Sequence, residues 1–450
     1  MLILLAAAIT LGLVGSLSHT SNHDAQFDAG SAVVAPPKKK RAPTRRRAHD
    51  PALLTTRGQR PPLSPDEVHL QSVLSKAMDQ AGPQSGALVY DLDSDDELYG
   101  LRPNVKRPPA SVEKLWTTTA LMDKLGPDAR LHTTLLGTGS LRHGVWHGSL
   151  YLRGGGDPTF GDPTFNRTWE FGYGPTAAQL TQQLVSRGIT RVTGQIFADE
   201  TMFDRKRGGL MTKYLPDVPD FGGQLSALTY DHGATVPHYS PAAFAAREMA
   251  LVMRGSHIAV KASRTEKKTP DDAKILATVS SPPLSVMTRL MDVPSDDLFA
   301  ELFAKQLGVL FGRGGSISDG AQVIGRTIGD TYGLHPTILD GSGLSRDDRS
   351  SPLEVVDLLR EVWGTPVGHQ LVASLPTVGK EGTVRGIGLK TAAVGNCAAK
   401  TGTLNYVTNL AGYCHSRGGH TLAFALFVDG PDNGTSVLLE SRMIGAIARY

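Results

Sequence analysis

The chain has 450 residues, 40% of them hydrophobic, with 50 glycines, 28 prolines and a formal charge of +3. It is long enough for two or three loop-rich globular domains with a sizeable core, which excludes a chain disordered throughout. The run KKKRAPTRRR, Lys38 to Arg47, holds seven basic residues and no acid, so the remainder sums to −4 and the positive charge belongs to a tail.

Met1 to Leu17 is an uncharged, apolar stretch of roughly signal-peptide length. It predicts an extracytoplasmic protein, secreted, wall-associated or held by this segment; cleavage and anchoring both stay open, because no Lys or Arg precedes the apolar run. Residues 18–65 are rich in Ala, Pro, Ser and basic residues without apolar periodicity, which describes a disordered spacer. Its charge suits an anionic membrane or wall polymer. Nucleic acid is not an expected partner, since neither aromatic interleaving nor a recognised module accompanies the run.

Glu67 to Ala81 reads as a helix, and Ser85 to Leu101 as strand, turn, strand. Pro108 and Pro109 then block helix, while Val112 to Leu125 is helical in composition and stops at Gly126, which places Ser111 at a helix N-terminus. Lys114 lies three residues on, about one turn, near enough to take the Ser111 proton and activate the hydroxyl. Alone, S-x-x-K is so frequent that it reads first as an N-cap followed by a solvated lysine.

From about Thr133 to Pro283 the chain changes to short β-like runs punctuated by Gly and Pro, with few long helical patterns. Leu284 to Leu310 is helical again, with Ser295 and Asp297 ahead of an apolar stripe at Leu298, Phe299, Leu302, Phe303 and Leu307. Ser351 and Pro352 open another helix, and the C-terminus reads strand, strand, strand, helix. Lys400, Thr401, Gly402 and Thr403 lie on the first of these strands, among small residues that admit the backbone of a ligand. The plan is α+β: an antiparallel sheet built from both chain ends and flanked by helices, residues 66–132 and 284–450, with a β-rich insertion at 133–283.

If the strands around Asn405 and Tyr406 form a tight hairpin, Cys397 and Cys414 stand opposite each other, within or at the edge of disulfide range. A one-residue bulge would leave two unlinked thiols, and both outcomes stay open. GGGDP, Gly154 to Pro158, lacks the G-K-[ST] ending of a phosphate loop, and HGVWH, His143 to His147, lacks the Glu of a zinc helix.

In order, S-x-x-K at Ser111, S-D-x at Ser295 and K-T-G at Lys400 are the three motifs of the serine penicillin-recognising enzymes. The chain resembles the class C low-molecular-mass penicillin-binding proteins, D-alanyl-D-alanine carboxypeptidases/endopeptidases of the S13 peptidases. The stretches that carry the likeness are PPASVEKLWTTTAL, GSLYLRGGGDPTF, PSDDLFAELFAKQLG, LDGSGLSRDDRSSP, SLPTVGKEGTVRG and AAKTGTLNYVTNLAGY. The resemblance implies a β-lactamase/transpeptidase-like fold and an acyl-enzyme on Ser111, with Lys114 as proton acceptor and Ser295 relaying a proton to the leaving amine. It implies Lys400, Thr401, Gly402 and Thr403 against the substrate, an oxyanion site on the Ser111 and Thr403 amides, no metal and no organic cofactor. The implied partners are peptidoglycan stem peptides and β-lactams as covalent inhibitors. Asp297 departs from the family's usual Asn; a carboxylate accepts but does not donate, and it favours the protonated lysine. A weakened or inactive wall-binding protein on the same scaffold is therefore the second expectation, and a β-lactamase the third.

Overall fold

The computed structural model describes residues 62–450; the apolar leader, the basic run and nearly all of the spacer lie outside them. Helix α1 (Pro65–Ala81) starts at Ser64, whose hydroxyl accepts from Glu67 N while the Glu67 carboxylate accepts from Ser64 N. It buries Leu70, Leu74 and Met78, one face at helical spacing. Strands β1 (Gly86–Asp91) and β2 (Asp96–Leu101) form a hairpin, and a 3-10 turn, Ala110–Glu113, leads into α2 (Lys114–Leu125). α2 is buried from Lys114 to Met122, so it is a core helix.

A second sheet follows, from β3 (His132–Gly137), β4 (Ser140–Arg142), β5 (Val145–His147), β6 (Leu150–Arg153), β7 (Arg191–Asp199), β8 (Ala259–Ala262) and β9 (Lys274–Ser280). Its order is β4-β5-β7-β6-β3-β9, with β8 beside β7. Between the strands run α3 (Pro163–Trp169), α4 (Ala177–Ser186), α5 (Val218–Phe221) and α6 (Pro241–Gly255). The region is thus more helical than its sequence suggests. β7 pairs parallel with β5, β6 and β8, and parallel neighbours need long crossovers, which α4 and α6 supply. Leu180, Leu184, Ala246 and Met249 pack from these helices onto Leu135 and Ile196.

The chain then builds α7 (Leu284–Asp292), α8 (Asp297–Phe311), α9 (Ile317–Tyr332), α10 (Pro352–Val362) and α11 (Pro366–Ser374). Leu284 to Leu310 is two helices rather than one, because Val293–Asp296 forms a break with Ser295 in the left-handed region at φ 65°. Last come β10 (Cys397–Leu404), β11 (Val407–His415), β12 (Thr421–Asp429) and α12 (Asn433–Arg449).

β10-β11-β12-β1-β2 is an antiparallel sheet joining the two chain ends. α1 and α12 cover one face through Leu70, Leu74, Met443 and Ile447, packed with Val89 and Phe424. Trp116, Phe299 and Phe303 lie in the other core, with Ala398, Tyr413 and Phe427 of the sheet. The stripe residues Leu298, Phe299, Leu302, Phe303 and Leu307 are all buried. Cys397 pairs with Cys414 in the β10–β11 register, and the two are disulfide-bonded with Cα atoms 4.1 Å apart. The hairpin turns at Asn405 and Tyr406, the latter at φ 64°.

β10 is the edge strand. Val378 N donates to Cys397 O and Ala399 N donates to Pro376 O, so odd-numbered residues aim their backbone groups away from β11. By that alternation the amides of Thr401 and Thr403 face the open edge.

Candidate active site

Ser111 sits in the 3-10 turn, one residue after Ala110, a non-glycine held at φ 48°. Its hydroxyl caps no helix: neither the turn nor α2 has a side-chain cap, and α2 starts at Lys114. Two neighbours fix the turn. Asn409 Nδ2 donates to the carbonyls of Pro108 and Pro109 at 3.0 and 2.9 Å. A Cβ at Gly402 would overlap the Pro109 carbonyl oxygen and come within 3.0 Å of Val112 N. The small residue of K-T-G therefore admits the nucleophile's own backbone, where the sequence suggested room for a ligand.

Lys114 is fully buried, and its Nζ donates to Ser111 Oγ at 3.0 Å, Asp297 Oδ1 at 2.5 Å and the Ser342 carbonyl at 2.8 Å. Those bonds match the three hydrogens of an ammonium group. The Ser342 carbonyl is placed by Glu301, one turn beyond Asp297 on α8, whose carboxylate accepts from Gly341 N and Ser342 N. Asp340 accepts from Ser342 N, Gly343 N and Ser345 N, which closes the D-G-S-G loop behind the lysine.

Ser295 Oγ accepts from Lys400 Nζ at 2.7 Å, and Lys400 also donates to the Thr401 carbonyl at 2.9 Å. Ser295 thus meets the lysine of the third motif, while Lys114 meets Asp297. Asp296, between them, caps α8 through Phe299 N and pairs with His232 Nε2 at 2.7 Å. Thr401 donates to Thr383 Oγ1 at 2.7 Å. Ser111, Ser295, Asp297, Thr401 and Thr403 line one cleft of about 340 Å³; Lys114, Lys400 and Gly402 are buried behind its wall. A larger groove of about 690 Å³, at Gln179–Gln183 and Val279–Pro283, contains none of these groups.

Burial pushes Lys400 down to about 7, helped by the like charge of Lys114 and opposed by Asp292 and Asp297. Asp292 is itself pushed up to about 6 by burial, against the pull of Lys400. Burial likewise raises Asp297, although Lys114 draws it down. Burial would raise Asp296 too, but His232 and the Phe299 amide hold it below the usual carboxylate value. The site can therefore hold a neutral Lys400 near neutral pH.

Every residue singled out in the three motifs converges here. Sequence reasoning did not assign roles to Glu301, the Ser342 carbonyl, Thr383 or the Asp296–His232 pair. The four-residue spacing of Asp297 and Glu301 was the one available signal, since it puts both on one helix face.

The family model of the D-Ala-D-Ala carboxypeptidase 3 (S13) family matches residues 68–243 and 220–449. Carboxypeptidase DacB of Mycolicibacterium smegmatis is 30% identical over 400 residues, 83% of each chain. The D-alanyl-D-alanine carboxypeptidase of Actinomadura sp. R39 is 26% identical over 457 residues, 82% of each. Penicillin-binding protein 4 (dacB) from Haemophilus influenzae superposes with a TM-score of 0.71 at 19% identity, covering 84% of this chain and 99% of its own, so the fold is shared. With its three motifs gathered in one cleft and matches along nearly all of its described length, the chain belongs to the D-Ala-D-Ala carboxypeptidase 3 (S13) family of serine peptidases.

Proposed function

We propose that this is an exported serine DD-carboxypeptidase/endopeptidase that acts on D-Ala-containing peptidoglycan stem peptides through a Ser111 acyl-enzyme and is acylated by penicillin. The observation that carries the reading is the 3.0 Å contact of Lys114 Nζ with Ser111 Oγ at the wall of a cleft shared with Ser295, Thr401 and Thr403. Ser111 Oγ attacks the penultimate D-Ala carbonyl while its proton passes to Lys114 in the free-base form. The oxyanion forms between the Ser111 amide and the Thr403 amide on the open edge of β10. The proton taken by Lys114 passes through Ser295 to the leaving amine as the C–N bond breaks, and water, giving a proton back to Lys114, later attacks the acyl group and releases it, with Ser111 reprotonated. Lys400, behind Ser295, supplies positive charge for the substrate carboxylate. Residues 66–132 and 284–450 make up the catalytic domain, and 133–283 the insertion. Lys38 to Arg47 would hold the protein near anionic wall polymer or lipid. The Haemophilus protein solved with a β-lactam, TM-score 0.66, supports the inhibitor class.

D-alanine release from a pentapeptide tests the reading: wild type releases it and Ser111→Ala does not. Equal release by both would end it. One observation favours a second reading, a binding or sensor protein. Lys114 is engaged on three sides, and one of its partners is the Asp297 carboxylate where the family usually has an amide. No release by wild type together with release by Asp297→Asn would select that alternative.

A further inference from the structure

Glu440, on α12, lines the same cleft as Ser111, yet the acyl-transfer scheme gives it no task. Its side chain is fully buried and neither carboxyl oxygen has a hydrogen-bond partner. One turn earlier on the same helix face, the hydroxyl of Ser436 is also fully buried and unpartnered. Buried polar groups are ordinarily hydrogen-bonded, so the two bare Glu440 oxygens at the cleft wall, with the Ser436 hydroxyl one turn behind them, ask for a visiting partner. Burial alone pushes Glu440 up to about 8, so near neutral pH it carries both a donor and an acceptor.

The chain path shows which end of the cleft this is. Thr383 N donates to the Val293 carbonyl, two residues before Ser295, and Thr383 Oγ1 accepts from Thr401. From there Gly386 and Ile387 continue the cleft wall, and Gly388 N donates to Ser441 Oγ on α12. The wall thus leads from Ser295, the group next to the leaving amine, to the helix that carries Glu440. Side chains alternate along β10: Lys400 points to Ser295, so Thr401 and Thr403 project toward the α12 side.

We propose that Ser436 and Glu440 form a binding subsite on the leaving-group side of the cleft, and that it takes a peptide amide of a substrate continuing beyond the scissile bond. The amide N–H donates to the Glu440 carboxyl, and the amide carbonyl accepts from Ser436. A leaving group that is a single D-alanine has no such amide; a leaving group that is a second stem peptide has one. The subsite therefore favours cross-linked peptides, endopeptidase substrates, over a lone terminal residue. This inference rests on the acyl-enzyme reading above.

The test compares wild type, Glu440→Gln and Glu440→Leu on two substrates, a pentapeptide and a peptide dimer joined through a D-Ala amide bond. The quantity read is the ratio of kcat/KM for dimer to that for pentapeptide. Glu440→Gln, which still donates and accepts, keeps the ratio within about threefold; Glu440→Leu lowers it about tenfold, as expected for one lost hydrogen bond. The loss falls on the dimer while pentapeptide kcat and penicillin labelling of Ser111 stay near wild type, which a general packing defect would not do. Equal ratios in all three proteins, or a wild type that cleaves pentapeptide and leaves the dimer intact, overturn the subsite alone. A wild type that neither cleaves pentapeptide nor takes label overturns the acyl-enzyme reading and the subsite with it.

Discussion

Lys114 Nζ stands 2.5 Å from Asp297 Oδ1, the shortest of the lysine's three hydrogen bonds and the one the family pattern would make to an amide. A carboxylate there stabilises the ammonium over the free base that must take the Ser111 proton. The pH profile of acylation at saturating penicillin should therefore lie at lower pH in Asp297→Asn than in wild type. Coincident profiles would show that Asp297 is not coupled to the base.

Lys400 gives the opposite slope. With its pKa pushed down to about 7, it is charged below that pH and neutral above it. Affinity for the substrate carboxylate is then present at lower pH and lost as pH rises through about 7, so the pentapeptide KM should climb in wild type. Lys400→Arg keeps its charge across this range and should show a flat KM. Parallel KM curves for the two proteins would remove Lys400 from carboxylate binding.

Gly402→Ala tests the contact between β10 and the nucleophile turn. The added Cβ meets backbone at Pro109 and Val112, not a side chain that can swing away. A displacement of about 1 Å costs roughly 100-fold in rate, so acylation should fall by about that much while the cooperative thermal transition survives. Wild-type acylation would mean that this turn tolerates displacement.

The three motifs were legible because each is a short run whose residues act as a unit; the pairing of Cys397 with Cys414 was legible only as one of two outcomes, and the unbulged β10–β11 register decides it. Ser111 sits in a 3-10 turn where a helix start was expected, because composition reports helical tendency and not the Ala110 strain or the Gly343 and Gly402 backbone contacts that set the turn. Leu284 to Leu310 reads as helical with Ser295 and Asp297 ahead of its apolar stripe; that the stretch is two helices shows in the left-handed Ser295 and in the capping by Asp296. The crossover helices α4 and α6 were masked by the Gly and Pro around them. Glu440 had no sequence signal, since a glutamate on a C-terminal helix ordinarily faces water and its burial depends on how α12 packs against the sheet.

The Cys397–Cys414 bond closes a 17-residue separation across the strand that presents Lys400 and Thr403. In the chain-entropy model such a loop contributes about 3 kcal/mol. The oxidised, denatured protein should titrate no free thiol, and Cys397→Ser/Cys414→Ser should unfold at lower denaturant, with an unfolding free energy smaller by about 3 kcal/mol. Two thiols per unreduced chain would contradict the bond.

The central claim is that Ser111 is the acylated nucleophile. Intact-mass and peptide mass spectrometry after incubation with penicillin measures this directly. The expected result is one penicillin mass added to wild type, carried by the peptide containing Ser111, and no adduct on Ser111→Ala. An adduct that persists in Ser111→Ala, or one mapped to another residue, would contradict the account.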